Sequence, residues 1–488
     1  MRKQSLTLAA LCAATVLGLT APTAVAAAAP AAAGTPAPAD SADFNGDGYP
    51  DVATSAPTTT VSGLARAGAV AVQYGSPTGL QKPVLITKNT PGVPGLPADG
   101  GRFGILHGQG DVDGDGYVDL LVEGGADAEH RSTGIMILRG SKDGITGRYT
   151  SQLHSGAYAV GGPSVHVTDP HIGDVTGDGI ADIVTPSYNT DGKSGLAILQ
   201  GPLSPATNEP ARILFRDTET LDNSPARNLH LGDMTGDGIA DIVLGPYGTG
   251  TLLKGTPGGL VKGGSLVGYG AGGSFGDLNK DGYQDFVSGD GGTWNTADGG
   301  RIAVTYGGPD GVSTTIPARV YTQDTAGVPG VSEVGDRFGA SVSVGDTDQD
   351  GYADIVIGAS YETGSDTAAT WSGSVTVLRG SATGVTTTGA KVLTQDSPGV
   401  PSTSEKDDHF GSAVSVIDTD KDGKAEVYVG GYGEDNYAGR VWKLKTDATG
   451  ITGTGATAYN FADLGGAAGR AHFGFAFGSG GSYLDLRT

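Results

Sequence analysis

Asp346-Thr-Asp-Gln-Asp-Gly-Tyr-Ala-Asp354 is the stretch whose reading decides the fold. It places acidic side chains at positions 1, 3, 5 and 9 and a glycine at 6. Oxygen ligands on a sharp turn suit a hard cation such as calcium, which takes six to eight oxygens. The same pattern recurs as DFNGDGYPD (Asp43 to Asp51), DVDGDGYVD (Asp111 to Asp119), DVTGDGIAD (Asp174 to Asp182), DMTGDGIAD (Asp233 to Asp241), DLNKDGYQD (Asp277 to Asp285) and DTDKDGKAE (Asp418 to Glu426). With the first stretch that makes seven copies. Their starts lie 68, 63, 59, 44, 69 and 72 residues apart. A period of this size in one chain means a solenoid, a propeller or an array.

Each loop runs into a short apolar strand: DLLVEG, DIVTPS, DIVLGP, DFVSGD, DIVIGA or EVYVGG after the second to seventh loops. A second strand follows, bounded by glycines, as in Gly68-AVAVQY-Gly75 and Gly373-SVTVLR-Gly380. β-Branched enrichment between glycines reads as strand. A weaker strand follows in most repeats, as at Pro83 to Lys88 and Ala390 to Gln395. The strand before the loop has its own mark: Phe103-Gly104, Phe338-Gly339 and Phe410-Gly411 each lie eight residues ahead of a loop. Tyr269-Gly270 takes that place before Asp277, and the third and fourth repeats lack it.

No such strand precedes Asp43, yet Phe473-Gly474 returns near the end with no acidic loop after it. A first repeat lacking its first strand and a spare first strand at the end describe a ring. Closing it this way protects sheet edges. The fold expected is all-β, a seven-bladed β-propeller of four-stranded blades in which the C-terminal strand completes the first blade.

Phe-Gly, then the acidic loop, then strand ends such as Ser55-Ala56-Pro57 and Ile357-Gly358-Ala359 resemble the FG-GAP repeat. That repeat builds the seven-bladed propeller of integrin α subunits and many secreted bacterial relatives. The resemblance spans residues 42 to about 480. It implies that each loop joins the first two strands of a blade and that position 7 offers its backbone carbonyl. The implied ligands are then Asp43, Asn45, Asp47, Tyr49 and Asp51; Asp111, Asp113, Asp115, Tyr117 and Asp119; Asp174, Thr176, Asp178, Ile180 and Asp182; Asp233, Thr235, Asp237, Ile239 and Asp241. The last three sets are Asp277, Asn279, Asp281, Tyr283 and Asp285; Asp346, Asp348, Asp350, Tyr352 and Asp354; Asp418, Asp420, Asp422, Lys424 and Glu426. Up to seven structural Ca2+ ions are expected, weaker where Thr176 or Thr235 stands at position 3. An EF-hand would need an acid at position 12, and that position holds Thr54, Val122, Thr185, Leu244, Ser288, Ile357 or Val429.

Formal charge is −23 over 488 residues, and 24 of the 53 acidic residues sit in the loops. Acidity this concentrated is explained by metal sites and argues against nucleic acid or an anionic membrane as partner. Residues 1–26 read as a signal peptide: Arg2 and Lys3, an apolar Leu6 to Leu19, then Ala24-Val25-Ala26. Residues 27–41 read as an Ala/Pro-rich disordered lead-in and residues 42–488 as the propeller. The expected localisation is secreted, with no membrane span and a monomeric state. The single cysteine, Cys12, falls inside the signal, so metal must supply the stabilisation that disulfides often give secreted proteins.

No catalytic constellation stands out. Gly272-Gly273-Ser274-Phe275-Gly276 has the spacing of a nucleophile elbow but abuts an acidic loop in a β repeat rather than a strand–turn–helix. Asp127, Glu129, Glu362, Asp366, Glu434 and Asp435 offer carboxylates without a spacing that selects a pair. The aromatic residues Trp294, Tyr361, Trp371, Tyr432 and Tyr437 lie in the variable stretches after the post-loop strand. By the resemblance, those stretches crowd the face opposite the calcium loops and bind ligand there. The function expected is a non-catalytic extracellular binding or adhesion module for protein or carbohydrate. The alternatives are a glycan-active hydrolase or lyase, or a structural component of the cell envelope.

Overall fold

The computed structural model describes residues 42–127, 134–147, 151–153, 169–188, 194–217, 228–292, 299–364 and 368–478. The chain divides into two units, Met1–Ala37, outside the described residues, and Pro38–Thr488, which carries the propeller. The expected signal peptide and lead-in also lie outside the described residues.

The strands form seven antiparallel sheets in chain order. The first blade holds β1 (Val52–Ala56), β2 (Ala69–Gln73) and β3 (Val84–Ile86). The second holds β4 (Leu106–Gly110), β5 (Asp119–Glu123), β6 (Ile135–Leu138) and β7 (Ser151–Leu153). The third holds β8 (His171–Gly173), β9 (Asp182–Tyr188), β10 (Ser194–Gln200) and β11 (Arg212–Asp217). The fourth holds β12 (His230–Gly232), β13 (Asp241–Leu244), β14 (Thr249–Lys254) and β15 (Val261–Val267). The fifth holds β16 (Gly272–Gly276), β17 (Asp285–Asp290), β18 (Arg301–Thr305) and β19 (Arg319–Tyr321). The sixth holds β20 (Phe338–Gly345), β21 (Asp354–Ala359), β22 (Ser374–Arg379) and β23 (Thr386–Leu393). The seventh holds β24 (Ala413–Ile417), β25 (Glu426–Gly431), β26 (Arg440–Asp447) and β27 (Gly450–Asn460). The two blades without Phe-Gly begin on strands of only three residues, β8 and β12.

The core lies between blades. Seven hydrophobic clusters among the described residues are each shared by two neighbouring blades. One of them joins the seventh blade to the first: Ala413 and Tyr428 pack with Val52, Ala69, Phe473 and Phe477. Each fully buried aliphatic or aromatic side chain contributes roughly 1.5–3 kcal/mol, so the boundaries between blades hold the ring together.

Phe103, Phe338, Phe410 and Phe473, with Tyr269, are all fully buried. The phenylalanines dock on the glycine that opens the third strand of the preceding blade. Gly300 bridges to Phe338, Gly373 to Phe410 and Gly439 to Phe473. The C-terminal segment thus meets the seventh blade as any first strand meets its neighbour. On its other side it lies along β1: Ser55 N–H donates to Ala476 O (3.0 Å), and Gly478 N–H donates to Ala53 O (3.1 Å). It does so through a single bridge, Thr54 to Phe477, rather than a ladder.

Candidate functional site

In every loop position 9 sits at the start of a blade's second strand, so its carboxylate is carried inward with the sheet. The six aspartates there are buried, with exposures of 2 % or less. One oxygen accepts a loop N–H, as from Phe44 to Asp51 (2.7 Å) and from Leu278 to Asp285 (3.0 Å). The other accepts the N–H of the glycine that closes the third strand: Gly75, Gly140, Gly201, Gly255, Gly307 and Gly380, at 2.9–3.0 Å. No other residue fits there, since an added Cβ at Gly75 would lie 2.3 Å from Pro50 O and one at Gly380 2.2 Å from Ala353 O.

Position 1 accepts from the N–H of the position-6 glycine in every loop, at 2.7–3.0 Å. That glycine has φ between +84° and +91° throughout, the left-handed region that glycine enters without strain. Position 4 is also left-handed, although three loops place Lys280, Gln349 and Lys421 there.

Burial pushes the position-9 aspartates up: Asp51, Asp119 and Asp241 to about 7, Asp182 and Asp354 to about 6, and Asp285 to about 8. Neighbouring loop carboxylates add to the effect at Asp51 and Asp285. Glu426 differs. Burial acts to raise it, but hydrogen bonds from Lys445 and Lys443 and the charge of Lys443 bring it below the ordinary value. Their Nζ atoms lie 2.7 and 3.0 Å from Glu426 Oε1.

The donor set fits calcium. Oxygens of Asp111, Asp113 and Asp115 lie within 4.8 Å of one another, as do those of Asp346, Asp348 and Asp354 and those of Asp418, Asp420 and Glu426. Oxygens 2.3–2.6 Å from one ion lie no more than about 5 Å apart, so these separations permit one ion between them. These are also the three loops with aspartate at position 3, and each meets a basic side chain of the third strand. Arg139 Nη1 lies 2.8 Å from Asp119 and 3.1 Å from Asp113. Arg379 contacts Asp348. Lys445 contacts Glu426.

Sequence reasoning missed this third-strand residue. In the first six blades it stands just before the closing glycine, and in several of them it also ties blade to blade. Tyr74 Oη accepts Ile145 N–H (2.8 Å), Tyr306 Oη accepts Val385 N–H (2.9 Å), and Arg139 Nη2 donates to Asn208 (3.2 Å).

The connections from second to third strands lie at the other end of the sheets from the loops. There the residue before Phe-Gly has positive φ at Arg102, Arg337, His409 and His472. Of these, Arg337, His409 and His472 meet the aromatics that follow the second strands. Arg337 lies over Tyr361 (4.5 Å), which packs on His409 (4.5 Å). His409 stacks on Tyr432 (4.6 Å), and Tyr432 on His472 (5.8 Å). Tyr437 adjoins His472 and lies under Arg470 (4.7 Å). Of the five aromatic candidates, Tyr361 and Tyr432 are buried inside this ladder, Tyr437 is half-buried, and Trp371, against Tyr361, is 37 % exposed. Trp294 lies outside the described residues, as do Glu129 and Asp366. Burial lowers His409 and His472 to about 4. His409 Nδ1 is 3.0 Å from Ser360 O, so that nitrogen carries the proton.

The family model FG-GAP repeat matches residues 39–72, 338–378 and 410–442. These segments contain the first, sixth and seventh acidic loops. No curated protein matches the chain in sequence. Among solved structures, an Agrocybe aegerita lectin described by its recognition of non-reducing terminal N-acetylglucosamine is 15 % identical with a TM-score of 0.47, covering 85 % of this chain and 91 % of its own. AofleA from Arthrobotrys oligospora is 11 % identical with a TM-score of 0.37, covering 73 % and 86 %. Likeness at this level carries no argument about ligand.

Proposed function

We propose that this chain, a β-propeller carrying FG-GAP repeats, is a secreted, calcium-stabilised, non-catalytic module that binds an extracellular protein or carbohydrate. The observation that carries the reading is the separation of two ends. At one end, seven loops gather carboxylates, three of them with a basic side chain against them. At the other, a ladder of Arg337, Tyr361, His409, Tyr432, His472 and Tyr437 crosses from the sixth blade to the first and holds Trp371 at its edge. The ladder itself is largely buried, so it serves as a rigid support for the exposed Trp371 and the half-buried Tyr437, and a recognition surface held rigidly loses little side-chain freedom on binding.

Calcium would be held by the position 1, 3, 5 and 9 side chains, and would neutralise carboxylates that otherwise repel one another. Its binding free energy then becomes folding free energy. Thermal unfolding in excess EDTA and in about 1 mM calcium, a concentration suited to extracellular sites, tests this half. A large rise in Tm with calcium supports it, and no shift removes it. A glycan array probed with wild type and Trp371→Ala tests the other half. Loss of a signal on substitution supports a binding face near Trp371, while sugar release from polysaccharide mixtures would favour an enzyme instead.

A further inference from the structure

Seven copies of one loop in one chain can be compared residue by residue. Every copy has carboxylates at positions 1, 5 and 9. Position 3 varies. It is Asp113, Asp348 and Asp420 in the second, sixth and seventh loops, Asn45 and Asn279 in the first and fifth, and Thr176 and Thr235 in the third and fourth. The third strand of each blade runs antiparallel to the second, so one of its residues stands opposite the position-9 acid. One step beyond the paired ladder, the register puts Tyr74, Arg139, Gln200, Lys254, Tyr306, Arg379 and Lys445 there, in blade order. All three loops with aspartate at position 3 therefore face a basic residue, and three of the four without it face tyrosine or glutamine. Lys254 is the exception: it faces a loop with threonine at position 3.

The contacts give a reason for the correspondence. Asparagine at position 3 supplies its own donor to the loop: Asn45 Nδ2 donates to Asp47 (3.0 Å) and Asn279 Nδ2 to Asp281 (2.9 Å). Opposite them, Tyr74 and Tyr306 accept N–H groups of the next blade instead. In the third loop the neutral amide of Gln200 donates to Asp178 (2.8 Å). Aspartate at position 3 has no proton to donate and brings a fourth negative charge. In those loops the donor comes from the third strand. Arg139 Nη1 lies between Asp113 and Asp119, and Arg139 and Asp119 are both buried. Arg379 Nη1 contacts Asp348 and lies 3.7 Å from Asp354 Oδ2. In the seventh loop Lys445 and Lys443 both reach Glu426. Carboxylates crowded out of water repel one another, and a fixed cation among them offsets that repulsion.

We propose that the third-strand residue opposite position 9 sets the charge with which each loop meets calcium. Arg139 and Arg379 offset the fourth carboxylate, so the second and sixth loops keep the same three net negative charges as a loop with asparagine at position 3. The inference rests on the calcium reading above. Affinity in loops of this kind follows the count of ligand charges. Four unmatched carboxylates would make one loop much tighter than its neighbours and more self-repelling when empty. Arg139 and Arg379 are positioning residues in this scheme: they touch carboxylates, and a guanidinium has no lone pair to offer an ion.

The test is a chelator-competition titration of the full chain with calcium, which gives the stepwise constants and the number of ions bound. Four proteins are compared: wild type, Arg379→Gln, Asp348→Asn and the variant carrying both changes. Glutamine copies the third blade, and asparagine copies the first and fifth loops. Arg379→Gln is expected to tighten one constant by on the order of tenfold, the effect of removing one nearby charge from a divalent ion. Asp348→Asn is expected to weaken one constant by a similar factor, and the double variant to return close to wild type, with the ion count the same throughout. A contact that only held the blades together would lower stability without tightening any constant. If Arg379→Gln fails to fold, Asp348→Asn beside the double variant carries the test, because the second change must recover the affinity that the first lost. Unchanged or weaker constants in Arg379→Gln overturn the inference. So does a higher ion count, which would mean that the guanidinium occupies the place of the ion. No binding by any of the four proteins would remove the calcium reading itself, and this inference with it.

Discussion

Arg379 reaches across a blade boundary: its Nη2 donates to the carbonyl of Thr449, 2.5 Å away on the seventh blade. The same guanidinium lies against Asp348 and Asp354 of the sixth blade's own loop. One side chain thus neutralises a loop and fastens it to its neighbour. Removing one member of a buried charge group leaves the others unpaired, at a cost of about 3–5 kcal/mol. Arg379→Met is therefore expected to lose roughly 3 kcal/mol of stability in EDTA and distinctly less in calcium, where an ion takes over the charge. Urea unfolding in both buffers measures this; equal losses would show that Arg379 and calcium do not share the site.

Tyr306 makes the corresponding fastening between the fifth and sixth blades without charge, accepting the N–H of Val385. Tyr306→Phe leaves that N–H buried and unpaired. A loss of about 1–3 kcal/mol is expected, independent of calcium. An unchanged unfolding midpoint would mean that water replaces the hydroxyl.

Phe473 is fully buried where the C-terminal segment meets the seventh blade, and its backbone bridges to Gly439. Phe473→Ala should cost about 3–5 kcal/mol, as for other buried phenylalanines. The same substitution at Phe410 is expected to cost a similar amount, because the two occupy equivalent boundaries. A negligible effect at Phe473 alone would show that the C-terminal segment does not hold the first and seventh blades together.

His409 is buried between Tyr361 and Tyr432 and is lowered to about 4 by burial, against about 6.5 in an unfolded chain. Between those values the unfolded state binds the proton and the folded state does not. Stability is then complete above about pH 6.5 and falls as pH drops toward 4, by on the order of 3 kcal/mol for this group. Asp336 and Asp408, raised by burial to about 7, act in the opposite direction over a similar range. The comparison is therefore between wild type and His409→Asn, which tolerates the +57° φ and does not titrate. The variant should lose less stability than wild type from pH 7 to pH 4.5; parallel profiles would refute the assignment.

Much of the ring was legible because its signals are local. A nine-residue loop, a glycine-bounded strand and a Phe-Gly pair each lie within one segment, and the repetition of the loop seven times leaves few architectures. The acidic clusters were legible for the same reason, since Asp346, Asp348 and Asp354 reach one another within a single loop. Arg139 and Arg379 were not, because they lie 20 to 31 residues from the carboxylates they meet and only strand pairing brings them together. The aromatic candidates were half legible: their place after the second strand could be read, but not that Tyr361 and Tyr432 are sealed inside a stack with His409.

The sequence alone therefore determined the repeat, the strand order within each blade and the acidic residues that share each loop, since each depends on spacing along the chain. Tertiary structure decided which residues are buried, which carboxylates receive a basic partner, and how the C-terminal segment lies between the last blade and the first. Those outcomes come from packing one blade on the next, where side chains from distant repeats compete for the same enclosed space. Gln323, Asp336 and Glu362 illustrate the difference: they come from three separate segments, and only the meeting of two blades makes them neighbours.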